Sequence, residues 1–224
     1  FASGMVDSSG SVMWSNRSAA SLIHVFDMAS LNGDLWVVGA KGANAVAYRS
    51  VDGGSTWTLM MSESPLAAGD YARYYFAGVV GGSLYIQASD LYSLASHTSS
   101  KVFNGASWSN GPRLLQGSMQ GHRAESFAGK LVYLGWQGSA SPLTVFDGTQ
   151  ARSVGPVSFW DYTIDSIGGK PRLVALGYNG GIYQTYDLVT FTKITTAPLT
   201  SVSIATIGST LFVGGSDSGI YRLG

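Results

Sequence analysis

The chain has 224 residues, no cysteine, 30 glycines, and 13 basic residues balanced by 13 acidic ones, with charged residues at only 12%. A chain of this length buries roughly 70% of the surface its unfolded form exposes and needs no metal or disulfide staple, so one domain covering 1–224 is expected. A net charge of zero leaves no electrostatic footprint for nucleic acid or an anionic membrane, and the lack of Cys excludes thiol catalysis and thiolate metal sites while leaving the compartment open. Eleven Asp stand against two Glu, Glu63 and Glu125, beside abundant Gly, Ser, Thr and aromatics; that balance favours turns and strands over helices and predicts an all-β protein. The chain starts on Phe1, which reads as a processed product or a fragment. Its apolar stretches, such as 76–86, are too short and too rich in glycine to span a bilayer.

In chain order, one unit recurs. An apolar residue, a turn with Gly, a Leu and an apolar run occur at Leu31-Asn32-Gly33-Asp34-Leu35, Val80-Gly81-Gly82-Ser83-Leu84 and Phe127-Ala128-Gly129-Lys130-Leu131. They return at Ile167-Gly168-Gly169 leading to Leu173, and at Ile207-Gly208-Ser209-Thr210-Leu211. The anchoring leucines stand about 40 to 50 residues apart, the range in which a period signals a repeat architecture. Each anchor reads as a tight hairpin between a first and a second strand. The first strands are placed at 24–31, 73–80, 120–127, 160–167 and 200–207. Third strands follow at 45–49, 101–103, 143–146, 181–186 and 219–223. In the first four copies a polar turn at Asp52, Asn104, Asp147 or Asp187 then leads to a short fourth strand. The last copy stops after its third strand, and Asp7-Ser8-Ser9-Gly10 with Ser11-Val12-Met13-Trp14 has the turn-then-strand composition to complete it from residues 1–20. Pairing the chain ends would remove open sheet edges, so the expectation is a five-bladed β-propeller of four-stranded antiparallel blades closed by the N-terminal strand.

Ser50-Val51-Asp52-Gly53-Gly54-Ser55-Thr56-Trp57 fits Ser/Thr-x-Asp-x-Gly-x-Thr/Ser-Trp at Ser50, Asp52, Gly54, Thr56 and Trp57, with traces at Gly105-Ala106-Ser107-Trp108 and Thr190-Phe191. This resembles the Asp-box, or BNR, repeat of sialidase-like propellers, and implies that fold with the box as a structural staple. A sialidase would further imply six blades, an Arg-Ile-Pro motif, three arginines gripping a carboxylate and a Tyr/Glu nucleophile pair. The sequence has no Arg-Ile-Pro, shows five copies, and offers only Glu63 and Glu125 to such a pair.

Similarity to five-bladed glycosidases implies carboxylates converging from first strands, which here would be Asp27, Glu125, Asp161 and Asp165, for acid/base or nucleophilic work. The alternative for each is lining a wet channel and bonding neighbouring blades. His24, His97 and His122 lack metal-ligand spacing, and no metal or cofactor is expected. Phosphate-loop and Gly-x-Ser-x-Gly signatures are absent. Leading into the second, third and fourth units, Tyr71, Arg73, Tyr74 and Tyr75, then His122, Arg123 and Glu125, then Trp160, Asp161 and Tyr162 mix aromatics with charge, which suits sugar rings or a protein partner. Of these, Tyr71, Arg73, Tyr74, His122, Arg123, Trp160 and Asp161 are the predicted ligand-binding residues. The function expected is a non-catalytic recognition or assembly module on a secreted or virion particle, within a larger assembly. A small glycoside hydrolase is the alternative.

Overall fold

The computed structural model describes residues 2–6, 12–16, 24–115, 120–136, 140–208 and 210–223; for the first two segments, for 120–122 and for 136 the backbone alone is described. Every described element is a strand. A two-stranded sheet pairs β1 (Ala2–Val6) with β2 (Val12–Asn16). Sheet one is the meander β3 (His24–Leu31), β4 (Asp34–Lys41), β5 (Asn44–Ser50) and β6 (Thr58–Glu63). Sheet two repeats it with β7 (Ala72–Val80), β8 (Ser83–Asp90), β9 (Lys101–Phe103) and β10 (Trp108–Asn110). Next come β11 (Gln120–Phe127), β12 (Lys130–Trp136), β13 (Ser141–Phe146), β14 (Ala151–Ile167), β15 (Lys170–Gly177), β16 (Gly181–Thr185) and β17 (Thr192–Thr196), hydrogen-bonded as one sheet of seven. A three-stranded sheet of β18 (Ser201–Ile207), β19 (Thr210–Gly215) and β20 (Ile220–Leu223) ends the chain.

The seven-stranded sheet is two meanders sharing β14. Its first residues, 151–154, pair with β13, and 159–167 pair with β15. Between them Gly155 has φ +95°, and a Cβ there would meet the Phe159 ring at 2.6 Å, so only glycine lets the strand turn from one meander into the next. The first four Gly-bearing anchors are two-residue hairpin turns; at the first, Asn32 and Gly33 both have positive φ, 56° and 87°, the backbone that matches strand twist.

Four core clusters each span two consecutive meanders. Trp36 and Val38 of sheet one pack on Tyr74, Leu84 and Phe103 of sheet two. Phe76 and Tyr85 then meet Leu131, Tyr133 and Phe146. Phe127 and Leu143 meet Tyr162 and Leu173, and Val174 and Ile182 meet Ile204 and Leu211. Alternation along each strand explains this: Trp36 and Val38 point to one face and Val37 to the other, where it is buried with Val46 and Tyr48.

Among the described residues Val12–Asn16 has one strand partner. Val12–Asn16 pairs with Ala2–Val6 in the register Val6↔Val12, and among the described residues β20 is an edge. Closing a loop of a few residues costs little chain entropy, which favours this local hairpin.

At Ser50–Trp57 one carboxylate organises the turn. Asp52 Oδ1 accepts the Ser50 hydroxyl (2.7 Å) and the Thr56 N–H (2.8 Å), and Oδ2 accepts the Thr56 hydroxyl (2.7 Å). Ser50 Oγ accepts the Gly54 N–H at 2.8 Å, and Trp57 Nε1 donates to the Gly54 carbonyl at 3.0 Å. Donation first from the Thr56 N–H, then from the Thr56 and Ser50 hydroxyls, lowers the Asp52 carboxyl to about 2. The same turn recurs in reduced form. Asn104 Oδ1 accepts from Ala106 and Ser107 N–H, Asp147 Oδ1 from Thr149 and Gln150, and Asp187 Oδ1 from Val189 and Thr190. Ser50→Ala should destabilise the chain by about 1–3 kcal/mol, because the Gly54 N–H loses its acceptor in a buried position. Urea unfolding checks this, and a loss under about 0.5 kcal/mol would reject the staple.

Candidate functional site

Two groups of residues answer to the sequence expectations. The first lies on the opening strands of the meanders. A β-bulge interrupts each of β3, β11, β14 and β18 a few residues before its hairpin turn. Asp27 follows the bulge in β3, where Oδ2 accepts the N–H of Ala77 on β7 at 3.0 Å and Oδ1 accepts Met28 N–H at 2.8 Å. Asp161 follows the bulge in β14 and repeats the arrangement: Oδ2 accepts the N–H of Ile204 on β18 at 3.0 Å, and Oδ1 accepts Tyr162 N–H at 2.8 Å. These carboxylates tether one meander to the backbone of the next.

Arg123 is the extra residue of the β11 bulge, held at φ 45°. Its guanidinium bridges Glu125 Oε1 (2.5 Å) and Asp161 Oδ1 (3.2 Å), and lies 5.1 Å from the centroid of the Tyr162 ring. The buried Tyr162 hydroxyl donates to the Val132 carbonyl at 2.9 Å. Burial lowers the basicity of Arg123, but the charges of Asp161 and Glu125 outweigh it and raise its pKa. Burial pushes the Asp27 carboxyl up to about 6 against the Ala77 and Met28 N–H groups, with the Glu125 charge adding to the rise.

Asp165 does not join this group. Its two oxygens accept Arg172 Nε (2.9 Å) and Nη2 (2.6 Å), and both side chains are almost fully buried. The hairpin register explains the pairing, since Asp165 stands directly opposite Arg172. Of the four carboxylates expected to converge, Glu125 and Asp161 are thus joined through Arg123, Asp27 is coupled to Glu125 by charge, and Asp165 is taken out by an ion pair.

The second group is the loop face, where the loop after each second strand sits beside the start of the first. One backbone bond recurs there: Leu91 N–H to Tyr71 O (2.9 Å), Tyr178 N–H to Ser158 O (3.0 Å) and Ser216 N–H to Thr200 O (2.8 Å). In sheet two it brings Tyr71 against Tyr92, edge to face with centroids 5.6 Å apart, and Tyr92 is 72% exposed. Asp70 fixes the pair by accepting N–H groups of Tyr71 (2.7 Å), Tyr92 (3.0 Å) and Ser93 (2.9 Å). In the fourth meander Trp160, Tyr178, Ser158 and Ala140 line a cleft of about 380 Å³.

The predicted ligand residues therefore divide. Tyr71 and Trp160 reach this face. Arg73 is buried, donates to the Ala72 carbonyl at 2.8 Å and supports Tyr71 with its guanidinium 5.1 Å from the ring. Tyr74 is a correction: it is fully buried and donates to Glu63 at 2.6 Å, because alternation along β7 turns it into the core. Arg123 and Asp161 belong to the tethering group. The side chain of His122 lies outside the described residues. Tyr92 and Tyr178 were not anticipated, since loop residues carry no periodicity. Tyr74 and Glu63 are thus hydrogen-bonded to each other, with the phenol fully buried. Among the described residues no group of three or more His, Asp or Glu is placed to hold a metal ion, and no helix is long and apolar enough to cross a membrane.

No family model and no curated protein sequence matches the chain. Solved structures do. The chain is similar to YCF48 bound to a D1 peptide, with TM-score 0.58, 14% identity, and 91% of this chain and 64% of that one covered. It is also similar to the GH93 α-L-arabinofuranosidase of Fusarium graminearum in complex with arabinobiose, with TM-score 0.55, 13% identity, and 96% and 83% covered. A protein from Lactobacillus plantarum aligns with TM-score 0.60 and 11% identity over 99% of this chain and 76% of that one. The chain spans less than two thirds of the YCF48 chain. At such identities the likeness is one of fold, and the fold is of the β-propeller class. One of these structures is bound to a peptide and another to a sugar.

Proposed function

We propose that this chain is a single-domain, non-catalytic β-propeller that binds a glycan or a partner protein through its loop face, in an extracellular or virion setting. The observation that carries this reading is the use made of the first-strand carboxylates. Asp27 and Asp161 each accept a backbone N–H from the neighbouring meander, and Arg123 holds Asp161 and Glu125. Groups spent on tethering are unsuited to protonating a leaving group. Tyr71 with Tyr92 forms an exposed ring pair, and Trp160 with Tyr178 lines an open cleft, which suits stacking on sugar rings or burial under a partner.

We read the five meanders as five blades, with the N-terminal hairpin completing the last. Burial of Val37, Val46 and Tyr48 on the face of sheet one away from sheet two supports a closed ring. The turn at Ser50–Trp57 is read as an Asp box, supported by the hydrogen bonds of Asp52 and Ser50.

A glycan array and a pull-down from the native assembly test the function. Tyr92→Ala and Tyr178→Ala should each weaken binding about 30-fold, as for a hot-spot aromatic, while stability changes by less than about 0.5 kcal/mol. Binding that ignores both substitutions would move the site elsewhere.

A hydrolase is the second reading, favoured by the Asp27 carboxyl at about 6, a value suited to a general acid. Turnover of aryl glycosides that disappears in Asp27→Asn would establish it. The non-catalytic reading expects no turnover in either protein.

A further inference from the structure

The outer strands of sheets one and two line an open cleft of about 480 Å³. Met61, Ser62 and Glu63 of β6 form one wall, and Lys101 of β9 with Trp108, Ser109 and Asn110 of β10 form the other. We propose that this cleft is a second binding site, specific for a neutral saccharide. The inference does not depend on the loop-face reading.

Charge selects the ligand class. The cleft carries one carboxylate and one ammonium, Glu63 and Lys101, with Oε1 and Nζ 3.2 Å apart. An anion would face Glu63, and a cation would face Lys101. An apolar ligand would strip water from both and from Asn110 without replacing their hydrogen bonds. Hydroxyl groups donate and accept at once, so neighbouring hydroxyls of a sugar satisfy a carboxylate oxygen and an ammonium together.

The polar groups are already fixed. Glu63 Oε2 accepts the hydroxyl of the fully buried Tyr74 at 2.6 Å, and His97 Nδ1 stands 3.7 Å from Oε1. Lys101 Nζ donates to Asn110 Oδ1 at 2.8 Å, across the register pair that β9 and β10 form. This leaves Lys101 a third N–H and Asn110 its amide N–H groups for a ligand. Trp108 is held edge-on to Trp36 at 5.8 Å and lies 5.3 Å from Phe103, and with Met61 it gives the cleft an apolar surface for the C–H face of a sugar ring. Such preorganisation removes the ordering cost that weakens binding to flexible side chains.

The test is titration of the whole chain with cellopentaose, xylopentaose and maltopentaose, followed by amide NMR and calorimetry, with digalacturonic acid as the charged comparison. At least one neutral pentasaccharide should shift the amides of 61–63 and 108–110. Asn110→Ala and Lys101→Met should each weaken that binding at least about tenfold, as loss of a ligand hydrogen bond does. Tyr92→Ala and Tyr178→Ala should leave it unchanged, which separates this cleft from the loop face. Melting curves confirm that each variant is folded. The proposal is overturned by silence of these amides with all three sugars, by tighter binding of the acidic sugar, or by binding that survives both cleft substitutions.

Discussion

Arg172→Met should lower the free energy of unfolding by about 3–5 kcal/mol, the cost of leaving a buried charge without its partner. The guanidinium donates twice to Asp165 and once to Gln184 Oε1 at 2.9 Å, and the ion pair is almost fully sealed from water. Removing Arg172 leaves the Asp165 carboxylate in that seal with no donor of comparable strength. The double variant Arg172→Met/Asp165→Leu should recover most of the loss, since a buried pair exchanged for apolar groups of similar size is close to neutral. Denaturant titration of the three proteins reads both terms. A single-variant loss below about 1 kcal/mol would place water at the pair and reopen Asp165 to chemistry.

Asp90→Ala should cost about 3–5 kcal/mol for a related reason. The fully buried carboxylate accepts Leu66 N–H at 2.9 Å and Ala67 N–H at 3.4 Å, and meets His97 Nε2 at 3.2 Å. It thereby fastens the segment after β6 to sheet two, while Glu63 approaches the same imidazole from the other side. Burial works against protonation of His97, but hydrogen bonding and charge from Glu63 and Asp90 outweigh it and raise the pKa above the ordinary 6.5. A raised histidine pKa contributes stability that is complete below 6.5 and is lost as pH rises through the folded value. Burial also acts to raise Glu63, yet donation from His97, Tyr74 and Lys101 wins and lowers it, so its contribution is present above 4.5 and disappears as acid protonates it. Asp27 has the opposite sense in acid: its contribution is full below 3.8 and is lost as pH climbs through about 6. Melting temperature should therefore fall on the alkaline side of 6.5 in the wild type, and His97→Gln should flatten that limb. An unchanged alkaline limb in the variant would refute the assignment.

Legibility of the sequence followed distance along the chain. The hairpins at 32–33, 81–82, 128–129 and 168–169 were readable because a two-residue turn is a local event with a local residue requirement. Limits of the first strands at 24–31 and 120–127 agree with β3 and β11 for the same reason. The Asp165–Arg172 pair was accessible too, because the turn at 168–169 fixes which residues face each other. Tyr74 was misplaced because its neighbours Tyr71, Arg73 and Tyr75 look alike in composition and only the pleat decides which enters the core. Glu63, Asp90 and His97 come together from three separate segments, and nothing local links them.

The sequence alone determined an all-β chain of repeated antiparallel meanders, since hairpin turns and alternating apolar residues are enforced within a few residues of backbone. Only the tertiary structure decided what the carboxylates do. Whether Asp27 and Asp161 face a substrate or a neighbouring N–H depends on how one meander stacks on the next, and that is set by the summed packing of side chains far apart in the chain.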